Sequence, residues 1–131
     1  VNETYTFNST EPIYLQIMYS IRLGIVAGAW APGSRVSPVR DLALQFGVNP
    51  NTMQRALSEL ERTGLLYSER TSGRFVTTDT GLISGIRNDI SSEEIRRFMQ
   101  SMERLGYTPD QIKQRIVEVM NAVNDNKEES V

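Results

Sequence analysis

Apolar positions along this chain recur with two different periods, and the places where the period changes mark its elements. From Pro12 onward Ile13, Ile17, Ile21 and Ile25 return every fourth residue, with Tyr14 and Met18 widening the stripe. That spacing predicts an amphipathic helix, ended by Gly28 and the Ala31-Pro32-Gly33 turn. A second, short helix is predicted from Ser37 to Gly47, with Ser37 as N-cap, Pro38 in the first position and Gly47 as the stop. Only Val48 then precedes Asn49, which can cap a third helix through its side-chain oxygen, with Pro50 suited to the first turn. In that helix Met53, Ala56, Leu57 and Leu60 fall at i, i+3, i+4 and i+7, and Gly64 closes it. Two helices joined by so short a turn predict a helix-turn-helix.

After Gly64 the period shortens. Leu65 to Glu69 and Arg74 to Thr78 read as two strands around Arg70-Thr71-Ser72-Gly73, a β-hairpin or "wing" directly behind the third helix. The stretch 79–90 contains two glycines and no strong periodicity, and is expected to be a linker. Two further helices follow. Ser91 with Glu94 offers a capping box before Ile95, Phe98, Met99, Met102 and Leu105, and Gly106 ends the run. Thr108 with Gln111 offers another before Ile112, Ile116, Val119, Met120 and Val123; the polar tail from Asn124 is expected to fray. The fold class is therefore mainly α with one small hairpin. It is organised as a winged helix-turn-helix over 11–78, a linker over 79–90 and a helical module over 91–124.

The outer face of the third helix carries Asn51, Thr52, Gln54, Arg55 and Ser58. These donors and acceptors suit base edges and phosphates, and a recognition helix presents its N-terminal residues to the major groove in this way. Most amphipathic helices carry polar outer faces for solubility alone; the short turn before this one and the hairpin after it make the difference. Arg70 and Arg74 flank the wing tip, where phosphate or a minor groove would be met. The net charge of −2 is unusual for a DNA binder, but its distribution is uneven. From Glu11 to Thr78 seven arginines face five acids, whereas from Asp79 to Val131 seven bases face ten acids. Local placement governs steering more than the total does.

The chain has no cysteine and no histidine, which removes disulfides, thiolate metal sites and the commonest general base and metal ligand. Without them no nucleophile–base constellation assembles, and neither catalysis nor a cofactor or metal is expected. No apolar run approaches the ~20 residues that span a bilayer, and the first ten residues lack the charged and apolar regions of a signal peptide. The expectation is a cytoplasmic, non-enzymatic protein. A winged helix used for protein–protein contact in a larger assembly is the alternative; an enzyme is the weakest reading.

The apolar stripes of the last two helices are too wide to be buried against each other alone. Ile95, Phe98, Met99, Met102, Ile112, Ile116, Val119 and Met120 are accordingly expected to form a dimerisation surface.

Six short segments in order carry a resemblance to a known family. They are Pro12 to Ile17, Pro32 to Val36, Val39 to Ala43, Val48 to Ala56, Leu60 to Ser68 and Gly73 to Val76. Over this half of its length the chain resembles the GntR family of bacterial transcription regulators, and within it the small YtrA-type subgroup. The resemblance implies a winged helix-turn-helix that dimerises and binds a near-palindromic operator, usually as a repressor, often of ABC-transporter genes. By position it implies that Arg40 reaches a base or phosphate from the second helix. It further implies that Asn49, Asn51, Thr52, Gln54 and Arg55 make recognition-helix contacts, and that Gly73 lets the wing tip approach the duplex. Arg35, Arg70, Ser72 and Arg74 complete the expected DNA-binding set. The chain departs from the family pattern at Val36-Ser37-Pro38, where cap and proline are exchanged, and at Thr71, where a glycine is common. The residues that follow the wing here are expected to be too few for the family's larger sensor domains, and a small-molecule effector is left open, for no convergent polar cluster marks its site.

Overall fold

The computed structural model describes residues 6–129, and these divide into two compact units with the boundary between Arg87 and Asn88. The first unit contains helices α1 (Ile13–Val26), α2 (Val39–Phe46) and α3 (Pro50–Arg62), then strands β1 (Leu66–Glu69) and β2 (Gly73–Val76). Helix α4 (Thr80–Arg104) begins in this unit and continues into the second, where α5 (Pro109–Glu129) completes the chain.

The four-residue apolar rhythm of the first helix becomes one wall of the core: Ile17, Ile21 and Ile25 of α1 are buried. Met53, Ala56, Leu57 and Leu60 of α3 are fully buried in the same cluster, together with Leu42, Ala43 and Phe46 of α2. A buried Leu, Ile or Met side chain stabilises the fold by about 1.5–3 kcal/mol relative to exposure, so this stripe of α3 is what fixes its outer face toward solvent. Between α2 and α3 the chain turns at Gly47, whose φ of 68° is the left-handed conformation that a side chain disfavours. The Val48 N–H bonds to the Ala43 carbonyl at 3.0 Å and the Gly47 N–H to the Leu44 carbonyl at 3.2 Å, closing α2. Asn49 caps α3 as expected, its side-chain oxygen accepting from the Asn51 N–H at 2.8 Å.

The wing is an antiparallel pair with Leu66 opposite Val76, Tyr67 opposite Phe75, Ser68 opposite Arg74 and Glu69 opposite Gly73. The free edge of β2 is covered by the segment before α2. Gly33 N–H donates to Val76 O, Val76 N–H to Ser34 O, and Val36 N–H to Arg74 O, all within 2.9 Å. The chain ahead of the helix-turn-helix therefore forms a third, one-bridge strand centred on Arg35.

Four local expectations are corrected. Ser37 does not cap α2: the helix starts one residue later, with Pro38 in the cap position and no side-chain cap bond. The exchange of serine and proline moved the cap, because Pro38 supplies the carbonyl that the Leu42 N–H needs, at 3.1 Å. The stretch 79–90 is helical. Asp79 caps α4, its carboxylate accepting from the Leu82 N–H at 3.0 Å. Gly81 and Gly85 obscured a real stripe, since Leu82, Ile83 and Ile86 pack on the core of the first unit. That burial outweighs the helix penalty of two glycines, about 1 kcal/mol each. Ser91 consequently lies inside α4 rather than at its start, with its hydroxyl donating to the Asn88 carbonyl at 2.9 Å. The tail also stays helical, α5 running on through Glu129.

In the second unit α4 ends at a tight turn. The Gly106 N–H bonds to Glu103 O and the Tyr107 N–H to Met102 O. The capping box of α5 forms as predicted: Thr108 N–H donates to Gln111 Oε1 at 2.9 Å and Gln111 N–H to Thr108 Oγ1 at 3.3 Å.

Candidate nucleic-acid interface

Helix α3 presents Asn51, Gln54, Arg55 and Ser58 to solvent, with Thr52 and Glu59 half-buried at the margins of that face. The Gln54 amide donates to the Ser58 hydroxyl one turn further along the same face, at 2.9 Å. Asn49 is occupied in part by its cap bond, which places it at the helix N-terminus with the unsatisfied N–H groups of the first turn. Arg40 stands exposed on α2, one residue past its start. Among the described residues it makes no ion pair.

A groove of about 400 Å³ runs between the start of α2 and the wing, lined by Arg35, Ser37, Val39, Glu69, Arg70 and Gly73 among others. Arg35 and Arg70 thus share one surface although they lie 35 residues apart in the chain. Gly73 is what lets the Arg35 side chain lie close against the wing. A Cβ at this position would stand 3.3 Å from Arg35 Nε, and its φ of 107° disfavours any side chain. Ser72 and Thr71 form the exposed tip, closed by a long bond from the Ser72 N–H to Glu69 O at 3.4 Å.

Arg74 is placed differently from the other arginines of the expected set. It is only 17% exposed and its Nε donates to Glu61 Oε1 at 3.0 Å. The Ser68 hydroxyl donates to the same carboxylate oxygen. These bonds hold the Glu61 carboxyl below the ordinary carboxylate range, the Ser68 bond contributing most and partial burial opposing it. Arg74 therefore braces the wing against the last turn of α3, and the site gains Glu61 and Ser68, which the sequence reading did not single out. Nothing in the spacing announces this partnership, since Glu61 and Arg74 are 13 residues apart on different elements. Arg62 pairs with Glu59 across one turn, as an outlying surface pair would.

Tyr14 is the other residue missed. It was counted in the apolar stripe of α1, yet its ring carries the Arg55 guanidinium, whose central carbon lies 3.8 Å from the ring centroid. In the second unit, the expected dimerisation residues divide. Ile112 is fully buried and has no surface to offer a partner. Met99, Met102 and Ile116 are half-buried, while Ile95, Phe98, Val119 and Met120 are exposed. Phe98, Met102, Ile116, Val119 and Met120 line an apolar cleft of about 290 Å³ with Arg115 at its edge. Among the described residues no group of acidic side chains could hold a metal ion, and no helix is long and apolar enough to cross a membrane.

Comparison with known proteins agrees with this arrangement. The pattern of the family described as "Bacterial regulatory proteins, gntR family" matches residues 13–76. The chain is 34% identical over 110 residues to YhcF of Bacillus subtilis, an uncharacterized HTH-type transcriptional regulator, covering 84% of this chain and 91% of that one. It is 28% identical over 121 residues to YtrA, an HTH-type transcriptional repressor of the same organism, covering 91% and 92%. A GntR family transcriptional regulator from Listeria monocytogenes has a structure that matches with a TM-score of 0.77 at 36% identity, over 86% of this chain and 98% of that one. The DNA-binding domain of AraR, solved in complex with operator ORX1, matches 57% of this chain and 95% of its own with a TM-score of 0.51 at 30% identity. Residues, fold and relatives together lead to one assignment: the chain belongs to the gntR family of bacterial regulatory proteins, as a winged-helix transcription regulator of YtrA type and not an enzyme.

Proposed function

We propose that the chain acts in the cytoplasm as a homodimeric repressor that binds a near-palindromic operator, with transporter genes as its targets. The observation that carries the reading is the state of its arginines. Arg35, Arg40 and Arg70 are exposed around the helix-turn-helix and wing with no carboxylate partner among the described residues. An unpaired cation on a protein surface is a site for a mobile anion, and DNA phosphate is the anion that a winged helix meets. The solved operator complex of AraR supports the same use of this fold.

The division of labour follows from position. Arg35 and Arg70, which both line the groove, hold phosphates and set the register, with the N–H groups at the start of α3 adding a third anchor. Arg40, Asn51 and Gln54 discriminate bases, Asn49 and Thr52 support the first turn, and Ser72 with Gly73 carries the wing tip to the backbone. Arg74 contributes by holding the wing through Glu61. The apolar residues exposed on α4 and α5 join two copies, so that two recognition helices address two half-sites.

Selection of bound sequences from a random duplex library tests this directly. A two-fold symmetric motif with half-sites about one helical turn apart is expected; failure to enrich any sequence would sink the operator reading. On the enriched duplex, Arg40→Ala should cost about 1–3 kcal/mol and relax preference at one base pair. Equal weakening on all duplexes, with the salt slope lowered by about one ion, would reassign Arg40 to phosphate.

A further inference from the structure

Of the arginines in the first unit, Arg55 alone is held by an aromatic ring among the described residues. It projects from α3 one turn beyond Asn51, is exposed, and makes no ion pair among the described residues. Its guanidinium lies over the ring of Tyr14, at 3.8 Å from the centroid, and Tyr14 is itself half-buried against the hydrophobic core. The ring is thus a fixed platform contributed by α1, and the arginine that rests on it belongs to the recognition helix.

Such a stack uses the flat face of the guanidinium, where cation and ring quadrupole attract. The N–H donors lie in the guanidinium plane and point outward from its edge, so they stay available. An arginine ordered in advance surrenders less freedom when it takes up a ligand than one that must be ordered on binding. The direction matters as well. A side chain leaning back onto α1 presents its donors beside α3, where a backbone phosphate needs only charge and donors. It is not extended forward, as bidentate reading of a guanine edge requires.

We propose that Tyr14 is a positioning residue that holds Arg55 as a pre-ordered clamp for a DNA backbone phosphate. The proposal rests on the DNA-binding reading above and narrows it, since it gives Arg55, so far only an expected recognition-helix contact, the recognition of backbone rather than of bases.

A double-mutant cycle over Tyr14→Leu and Arg55→Ala tests it, with Tyr14→Phe as the conservative control. Affinity is read on the enriched operator and on a scrambled duplex across a salt series. Arg55→Ala is expected to weaken both duplexes by a similar several-fold factor and to lower the salt slope by about one ion. Tyr14→Leu should weaken binding several-fold when Arg55 is present and have no effect when it is absent, while Tyr14→Phe binds as the parent does. Arg55→Lys, which leaves the platform untouched, should keep the salt slope yet bind several-fold more weakly. It also serves in place of Tyr14→Leu if that variant does not fold.

A measurement without DNA judges the stack alone. The Arg55 Hδ protons should be shifted upfield by the ring current in the parent and in Tyr14→Phe, but not in Tyr14→Leu. Additive effects in the cycle, a parent-like Arg55→Lys, or an Arg55→Ala variant that changes base preference at an unchanged salt slope would overturn the clamp while leaving the DNA reading intact. A parent chain that binds no duplex at all would bring down both, even with the ring-current shift present.

Discussion

In the winged-helix unit apolar side chains turn inward while several arginines are left without partners; in the C-terminal unit the pattern is reversed. The first unit buries a continuous cluster from Ile17 to Ile83, while among the described residues of the second only Ile112 is a buried apolar residue. Ile95 and Met120 are each 60% exposed and Leu105 72%. The charges run the other way. Arg96 and Arg97 pair with Glu93, Arg97 also with Glu94, and Arg115 with Glu118, so three cations of the second unit are already neutralised nearby. A surface with open cations and a satisfied core suits a polyanion; one with fewer open cations and open apolar side chains suits another apolar surface. The separation is not complete, for α1 also shows Leu15, Tyr19 and Leu23 in a milder row, each about two-fifths exposed.

The largest expected effect breaks the first half of this comparison. Leu57→Ala removes a fully buried side chain from the inner face of α3 and should cost about 2–5 kcal/mol, read as a lower urea midpoint. A loss below ~1 kcal/mol would mean that the helix is not anchored by this stripe, and that its outer face is not fixed as described. The second half is tested by charging the exposed apolar face. The double variant Ile95→Glu and Met120→Glu should sediment as a monomer under conditions where the parent is expected to sediment as a dimer, because both positions are exposed in the single chain and would carry charge into the proposed interface. A variant that stays dimeric would move the interface elsewhere, and the Leu15-Tyr19-Leu23 row would be the next to charge.

Most of the first unit was legible in the sequence because each of its elements repeats one local rule. The Met53-Ala56-Leu57-Leu60 stripe, the Asn49 cap and the Gly47 turn all involve neighbours within a few residues, and all three stand in the structure. The start of α4 was not legible, because Gly81 and Gly85 speak against a helix that only the burial of Leu82, Ile83 and Ile86 explains. In the candidate site, the outer face of α3 and the positions of the arginines around it could be read, whereas the contacts that hold or leave free each arginine could not. The Arg55 stack on Tyr14, the seating of Arg35 over Gly73 and the Arg74 bond to Glu61 each join elements distant in sequence. Periodicity places a residue on a face; it does not say which residue of another element lies beside it.

The smallest effect concerns the bracket that joins recognition helix and wing. Glu61→Gln keeps the shape and an acceptor oxygen for the Ser68 hydroxyl and Arg74, but removes the charge. The parent should be the more stable by about 1 kcal/mol near neutral pH, as expected for one partly exposed, charge-assisted bond. The sign of its pH dependence is fixed by the direction of the shift. The Glu61 carboxyl is held below its ordinary value of 4.5, so at intermediate acidity the unfolded chain binds the proton more readily than the folded one. The advantage of the parent is therefore fully present above pH 4.5, declines as pH falls through the lower folded-state value, and is gone below it. The cost of Leu57→Ala, which involves no titrating group, should remain level across the same range. Parallel pH profiles for Glu61→Gln and the parent would show that the carboxylate does not hold the wing by its charge. Converging profiles would separate the electrostatic bracket between α3 and the wing from the apolar packing beneath it.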